Sequence, residues 1–418
     1  MKNTYKIFML PLLLFNLFNV TVRTDKCNAK VWNPHLNLNS GIINQQEVYS
    51  LANNLNYIYA GTRDSGIYIY DGLNWTHSPL SKGDVRGIVV SGNYLYAGVT
   101  IGSSTGSVFV STNNGMNWTQ TPLNNQAVLS LAVEGNTIFA GCYGTGVYKS
   151  TNNGTNWTQT SLNNRIVQSI AVNGNIIYAG TRYYGIYLST DNGSTWTQKP
   201  LNDSLMVYVN AVTYNGSNVY AGTDGLGLYL STNNGMNWTQ TSLNNKSIYS
   251  LVSKDGHIFA GTVDSGVYLS TNNGVNWLQK NHGFPVFQPS TTIHALTITN
   301  NYIHASVSSL SIWYREYLDI IGIKSISTET PSKYSMEQNY PNPFNPTTSI
   351  QFALPKNEVV SIKIYDMLGK EVANVMNESK SAGTYEVSFN AASLSSGVYF
   401  YRMNAGSYNS IKRMVVLK

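Results

Sequence analysis

A repeat of about 40 residues governs most of this chain. Residues 131–164 read LAVEGNTIFAGCYGTGVYKSTNNGTNWTQTSLNN, and near-copies carry Trp75, Trp118, Trp157, Trp196, Trp238 and Trp277. A second marker, Ala-Gly, recurs at Ala60, Ala97, Ala140, Ala179, Ala221 and Ala260 and degenerates to Ala305-Ser306 at a seventh site. Self-similarity at this spacing means that each copy is one small unit burying its apolar face against its neighbours.

Each copy resolves into four short strands. In the block quoted, residues 128–133 form an inner strand, 137–141 a second, 146–150 a third and 157–162 an outer one. Gly135-Asn136 and Asn152-Asn153-Gly154 supply the turns, because these residues accept positive φ cheaply. Four strands per repeat predict an all-β fold: a seven-bladed β-propeller over residues 28–319. A linear solenoid is the alternative, and the chain ends argue against it. The seventh repeat has three strands (293–298, 302–305 and 311–314, with Trp313 at a Tyr position) and no outer strand. Val31-Trp32-Asn33-Pro34 resembles the missing piece, so the propeller is expected to be closed by an N-terminal strand, which also removes an exposed sheet edge.

Charge is informative through its placement. Only 11% of the 418 residues are charged, and the net charge is +6. Residues 1–27 and 321–418 each carry an excess of +3, while 28–320 hold 12 basic and 12 acidic residues. A neutral repeat region gives no electrostatic footprint for nucleic acid. Lys2 and Lys6 precede an apolar run over 7–18, broken by Pro11 and Asn16. That run is too short to span a bilayer and predicts a signal peptide over 1–23, with no transmembrane segment in the mature protein. Cys27 and Cys142 have no metal-type spacing, and Cys142 stands where other repeats have Thr, as a packing variant.

Two resemblances follow from motifs. Ser189-Thr190-Asp191-Asn192-Gly193-Ser194-Thr195-Trp196 resembles the Asp-box (BNR repeat), with Asn113, Asn152, Asn233 and Asn272 at the Asp position of the other copies. The repeat as a whole is similar to sialidase-like and photosystem-assembly-factor-like propellers, which implies a structural turn and no particular activity. At the C-terminus, Tyr340-Pro341-Asn342-Pro343-Phe344-Asn345-Pro346 opens a series of alternating strand patterns over 349–354, 359–366, 371–375, 384–390, 397–404 and 410–417. Gly397, Tyr399, Lys412 and Lys418 belong to its closing motifs. This stretch, 335–418 after a linker at 320–334, resembles the type A C-terminal sorting domain of the type IX secretion system. The resemblance implies a C-terminal immunoglobulin-like β-sandwich, the outer-membrane machinery of that system as a partner, and a protein secreted from a bacterium or displayed on its outer-membrane surface.

Loops between second and third strands, and from outer strand to next repeat, are expected to share one face. The first class carries Arg63, Asp64, Arg182, Tyr183, Tyr184, Asp224 and Asp264; the second carries Lys82, Asp84, Arg86, Arg165, Asp203, Lys246 and His282. Arg63, Asp64, Arg182, Tyr183, Tyr184, Arg165 and Arg86 are the candidate ligand-binding residues for an extracellular glycan or protein, with no cofactor or metal expected. The competing reading is a glycoside hydrolase of the sialidase-like type, needing an arginine cluster, a nucleophilic Tyr and acids. The sialidase Arg-Ile-Pro signature is absent, and Glu47, Glu134 and Glu316 are expected away from that face. His294 and His304 are read as structural strand residues, and the Trp series as packing between repeats.

Overall fold

The computed structural model describes residues 31–35, 46–81, 83–102, 104–201, 206–284, 291–308, 311–327 and 329–418. The expected signal peptide, Cys27, Lys82 and Asp203 lie outside the described residues. The fold is all-β, with four-stranded antiparallel sheets recurring along the repeat region. In one of them Val128–Glu134, Thr137–Cys142, Gly146–Ser150 and Thr158–Gln159 pair in chain order. The outer strand is shorter than the expected 157–162, because after Gln159 it holds on through single bonds, Thr160 N–H to Val147 O and Val147 N–H to Leu162 O.

First strands of successive sheets pack side by side. They are Val48–Asn53, Asp84–Ser91, Val128–Glu134, Val167–Asn173, Val209–Asn215, Ile248–Lys254 and Ile293–Ile298, and the last packs against the first. The Ala-Gly marker has a steric cause: a Cβ on Gly61 would collide with Ser50 Oγ and with Val85 of the next sheet. Ser50 Oγ in turn donates to Val85 O at 2.9 Å, and Ser130, Thr100 and Ser250 make the same kind of bond to Val167, Val128 and Ile293. In the degenerate copy the hydroxyl has moved strands. Ala295 replaces the serine, and Ser306 of Ala305-Ser306 donates to Val48 O at 2.8 Å, joining the last sheet to the first.

The last sheet has the order 33–34, 311–316, 302–307, 293–298, so the N-terminal segment supplies its fourth strand. Asn33 pairs with Tyr314 and Pro34 with Trp313. The five boxed turns share one network. Ser189 Oγ accepts the Gly193 N–H at 2.8 Å, and Asp191 accepts the Thr195 N–H at 2.9 Å and its hydroxyl at 2.6 Å. These bonds hold the Asp191 carboxyl down at about 2, the Thr195 hydroxyl contributing most. Asn152 repeats the turn with one amide oxygen, accepting the Asn156 N–H at 2.9 Å. The Trp of each boxed repeat packs between sheets, Trp118 against a core containing Tyr59, Ile69 and Leu80 of the preceding copy.

The C-terminal region forms two further four-stranded sheets around a shared apolar core that includes Ile350, Phe352, Ile362, Ile364, Tyr401 and Met414. One has the order 323–327, 383–390, 347–354, 335–336; the other 371–380, 358–365, 397–405, 408–416. Two features differ from the sequence expectation. Residues 320–334, expected as linker, contain Ile323–Ser327, which pairs with Gly383–Asn390. The strand expected over 371–375 runs to Lys380, because Glu378 and Lys380 are 1% and 6% exposed at their side chains and pair at 2.9 Å. They sit where the sorting region meets the repeat sheets. There Tyr317 of the helical turn Tyr317–Ile320 donates to Lys254 O at 2.9 Å, and its hydroxyl lies 3.2 Å from His257 Nδ1. Burial holds the Glu378 carboxyl above its usual range, with Lys380 opposing.

Burial also pushes His257 down to about 4, aided by Lys380. His257 is therefore neutral in the folded protein, whereas its unfolded imidazole titrates near 6.5. A depressed folded pKa stabilises fully above the unfolded value, and that contribution is lost as pH falls through the folded one. Stability is expected to fall between pH 6.5 and 4, by about 3 kcal/mol for this group alone. Thermal unfolding across this window checks it: His257→Asn should flatten the pH dependence, and an unchanged slope refutes the assignment.

Candidate functional site

The first strand of every repeat sheet begins with the same irregularity. Register shifts between Val48 and Ser50, Val85 and Gly87, Val128 and Ser130, Val167 and Ser169, Val209 and Ala211, Ile248 and Ser250, and Ile293 and Ala295. A bulge adds one residue to one strand and re-aims its side chain. The extra residues are Tyr49, Arg86, Leu129, Gln168, Asn210, Tyr249 and His294. Five of them (Arg86, Leu129, Gln168, Asn210 and His294) line a central cavity of about 200 Å³ between the first strands. Tyr49 and Tyr249 flank His294, with ring centroids 5.7 Å and 6.0 Å away.

The two loop classes do meet around this mouth. Arg63 N–H donates to Glu47 O, Arg182 N–H to Ile166 O and Asp224 N–H to Tyr208 O, the same bond in three repeats. Ser247 Oγ donates to Asp224 at 2.6 Å, and Lys246 Nζ to Ser265 Oγ at 3.0 Å. His282 is placed beside the N-terminal strand, its carbonyl accepting the Trp32 N–H.

The candidate residues separate into two groups. In the first, Arg63 bridges Glu47 at 3.1 Å and Asp64 at 3.6 Å; Arg86 bridges Asp84 at 2.9 Å and lies 4.7 Å above the Tyr49 ring. Tyr49 donates its hydroxyl to Glu47 at 3.1 Å, and burial, then Glu47, raises its pKa. In the second, the Arg165 guanidinium stacks 4.1 Å over Tyr184 and donates from Nε to the Tyr187 hydroxyl at 3.0 Å. Arg182 lies 5.5 Å from both the Tyr183 and the Tyr208 rings. Tyr183 holds φ at 83°, an uncommon conformation for a residue with a side chain. The four arginines therefore do not converge. Two are engaged by carboxylates and two by tyrosines.

Glu47 is a correction to the sequence reading. It was expected away from this face, yet it joins Tyr49 and Arg63 on it, because it ends the connection from one outer strand to the next first strand. His294, read as a structural strand residue, is in a strand but at the bulge, facing the mouth; burial pushes its pKa down while Glu47 opposes. The bulge ring itself escaped the sequence reading. Its signal is there: one variable residue between a constant Val or Ile and a constant small residue, in every repeat. Among the described residues, no group of His, Cys, Asp and Glu is placed to hold a metal ion. No helix among them is long and apolar enough to cross a membrane.

The sorting residues form their own constellation. Asn342 accepts the Val415 N–H at 2.9 Å, Phe344 N–H donates to Val415 O at 3.0 Å, and Leu417 N–H donates to Phe344 O at 2.9 Å. The segment around Pro341, Asn342 and Pro343 is thus bonded along the last strand, Tyr408–Val416. That strand pairs over its whole length with Gly397–Ala405, Lys412 opposite Tyr401. Tyr399 donates its hydroxyl to Ser395 O at 3.0 Å, and Lys418 donates to Ala392 O at 3.0 Å.

Comparison with known proteins agrees with both regions. A model of the secretion system C-terminal sorting domain matches residues 338–417. A model of the DUF6242 beta propeller domain matches 71–206 and again 168–308, together more than half of the chain. The fold is similar to YCF48 from Cyanidioschyzon merolae (TM-score 0.52, 12% identity, 68% of this chain and 98% of that one). It is similar to YCF48 bound to D1 peptide (TM-score 0.51, 11% identity, 65% and 94%). The computationally designed Ika8 protein also resembles it (TM-score 0.50, 13% identity, 65% and 96%). A search of curated proteins finds no match.

Proposed function

From a chain that belongs to the DUF6242 beta propeller domain family and ends in a type IX secretion sorting domain, we propose a seven-bladed propeller that binds an extracellular protein or glycan at its central mouth. The N-terminal segment 1–23 takes it across the inner membrane as a signal peptide. The sorting domain, in this reading an immunoglobulin-like sandwich, takes it across the outer membrane for display or release. The bulge ring carries the binding reading: a fixed scaffold presents one variable side chain per repeat around a cavity, which separates frame from recognition surface. The mouth is bipolar. Glu47, Asp64 and Asp84 outnumber Arg63 and Arg86 on one side, and Arg165 and Arg182 supply positive charge among tyrosines on the other. Such a surface suits a polar partner with both apolar and charged groups.

The test is binding to a glycan array and to a displayed peptide library. Arg86→Ala with His294→Ala, and separately Arg63, Arg182, Tyr183 and Tyr184 all changed to Ala, are expected to weaken any hit by more than about tenfold. Binding that survives both variants refutes the site. One observation favours a second reading, sialidase-like hydrolysis: the Tyr49–Glu47 hydrogen bond pairs a phenol with a carboxylate beside two arginines. Against it, both arginines are already matched by acids, so a substrate carboxylate meets no excess positive charge. Turnover of fluorogenic sialosides or glucans that disappears in Tyr49→Phe would replace the binding reading.

A further inference from the structure

On the end of the sheets away from the mouth, each junction between neighbouring sheets has a groove with an aromatic ring at its base. The ring belongs to the residue before Ala-Gly. At five junctions the boxed turn of the next repeat covers it. A Cβ on Gly193 would crowd Phe139 at 3.1 Å, one on Gly235 would strike Tyr178 at 2.8 Å, and one on Gly274 would meet Tyr220 at 3.0 Å. The Asn153 and Asn114 side chains lie 3.4 Å and 3.3 Å from the Tyr96 and Tyr59 hydroxyls. At the sixth junction no boxed turn exists, and Tyr317 takes its place over Phe259, ring centroids 6.1 Å apart.

At the seventh junction the ring position is His304, and among the described residues no boxed turn covers it; the His35 imidazole of the N-terminal segment stacks on it at 5.1 Å instead and leaves the space beside the pair open. The first repeat has the short turn Asp71-Gly72-Leu73-Asn74 there, two residues shorter from Tyr68 to Trp75 than from Tyr148 to Trp157, with Tyr70 at the serine position. The result is a cleft of about 310 Å³, within the size range of small-ligand pockets. Its walls are Tyr70 and Gly72 of the short turn, Asn56 and Tyr57 of the first hairpin, Tyr302 and Tyr314 of the last sheet, and the imidazoles of His35 and His304.

The lining has a consistent chemistry. Among the described residues it contains no Lys, Arg, Asp or Glu. The two imidazoles share a hydrogen bond at 3.0 Å and both are pushed down by burial, His35 to about 4, so they are uncharged at neutral pH. The rings stand at steep angles, Tyr302 to Tyr314 at 85° and His35 to Tyr70 at 78°. Flat apolar faces are thus set beside the edges of others, with the exposed Asn56 amide among the lining groups and the Thr299 hydroxyl bonded to the Tyr302 backbone. An anionic ligand would be desolvated here with no counter-charge. A purely apolar one would leave the Asn56 amide beside it, at the rim, unpaired. We infer that this cleft binds a neutral saccharide of one or two rings, its C–H faces stacked on the tyrosines and its hydroxyls bonded at the rim.

The experiment is saturation-transfer NMR and calorimetry on the full chain with maltose, cellobiose, xylobiose and chitobiose. Sialyllactose serves as the charged control and tryptophan amide as the planar aromatic alternative. At least one neutral disaccharide is expected to bind at about millimolar Kd or better. Tyr302→Ala should weaken it roughly fivefold to tenfold. Replacing residues 70–74 by the sequence of Ser150–Asn156 supplies the boxed turn of the other junctions; it should abolish binding while the chain still unfolds cooperatively. Arg86→Ala with His294→Ala should leave it unchanged, which separates this cleft from the mouth. No saccharide binding, preference for tryptophan amide or sialyllactose, or binding that persists with the cleft filled would each overturn the inference.

Discussion

Removing residues 322–418 is expected to abolish passage across the outer membrane, so that the propeller accumulates in the periplasm and disappears from the surface and the medium. The cut is placed before residue 323, because Ile323–Ser327 pairs with Gly383–Asn390 and would be left as an unpaired strand by a cut at 335. A shorter deletion, 412–418, should have nearly the same effect for a structural reason. It removes Val415 and Leu417, the backbone partners of Phe344, and the N–H that Asn342 accepts. Phe344 is 2% exposed, so unfastening it opens the end of the core shared by the two C-terminal sheets and costs about 3–5 kcal/mol if the ring leaves its site. Asn342→Ala, which loses one hydrogen bond to the half-exposed last strand, should cost about 0.5–1.5 kcal/mol and slow export without ending it. Fractionation with immunoblotting of periplasm, cell surface and medium measures all three. Unchanged amounts of the 322–418 deletion outside the cell would refute the role of the domain.

How much of this was legible beforehand depends on which residues carry the information. The repeat frame was, because Ala-Gly and the boxed turn are steric necessities: sheets approach too closely for a Cβ at Gly61, and the box closes on Ser189 and Asp191 through local bonds. The split last sheet was legible from Trp32 for the same reason. The mouth was only half visible. Variability between repeats was sought in loops, so Arg63 and Arg182 were found, while Tyr49, Tyr249 and His294 were hidden inside strands by bulges that hydrophobic alternation does not reveal. The extension of the 371–375 strand through Glu378 and Lys380 was not legible, because buried charges interrupt the apolar alternation. Their spacing of two from Met376 places them on the buried side of the same strand, and the ion pair offsets part of the desolvation. The cleft beside His35 and His304 could not be read at all without knowing that the missing box residues act on the neighbouring sheet.

Trp32 holds the ring closed, and Trp32→Ala is expected to destabilise the propeller by about 3–5 kcal/mol. Trp32 is 1% exposed, stacks on Phe284 at 4.7 Å and 17°, and donates its indole N–H to Lys280 O. Its backbone N–H bonds His282 O at 3.0 Å, where Gly283 adopts φ of 105° and passes so close that any side chain would meet the Trp32 backbone. The short pairing of Asn33–Pro34 with the last sheet is two residues long, too little to hold by hydrogen bonds alone against the entropy of a free chain end. The buried ring therefore supplies most of the closure. When it is removed, the strand is expected to detach, leaving Ser311–Glu316 as an open sheet edge and uncovering Phe284 and Trp313. Three results should appear together: a lower denaturant midpoint, proteolysis near residues 31–35 under conditions where the parent is resistant, and a rise in aggregation from the exposed edge. Trp32→Phe should restore part of the midpoint, since it keeps the stacking and loses the indole bond. Gly283→Val should mimic the loss without touching Trp32, because it blocks the approach. If Trp32→Ala unfolded at the parent midpoint with its N-terminus still protected, closure would have to rest on the direct contacts of the first and last sheets, Ser306 to Val48 and Asn53 to Thr297 and Ile298, and the N-terminal strand would be an accessory.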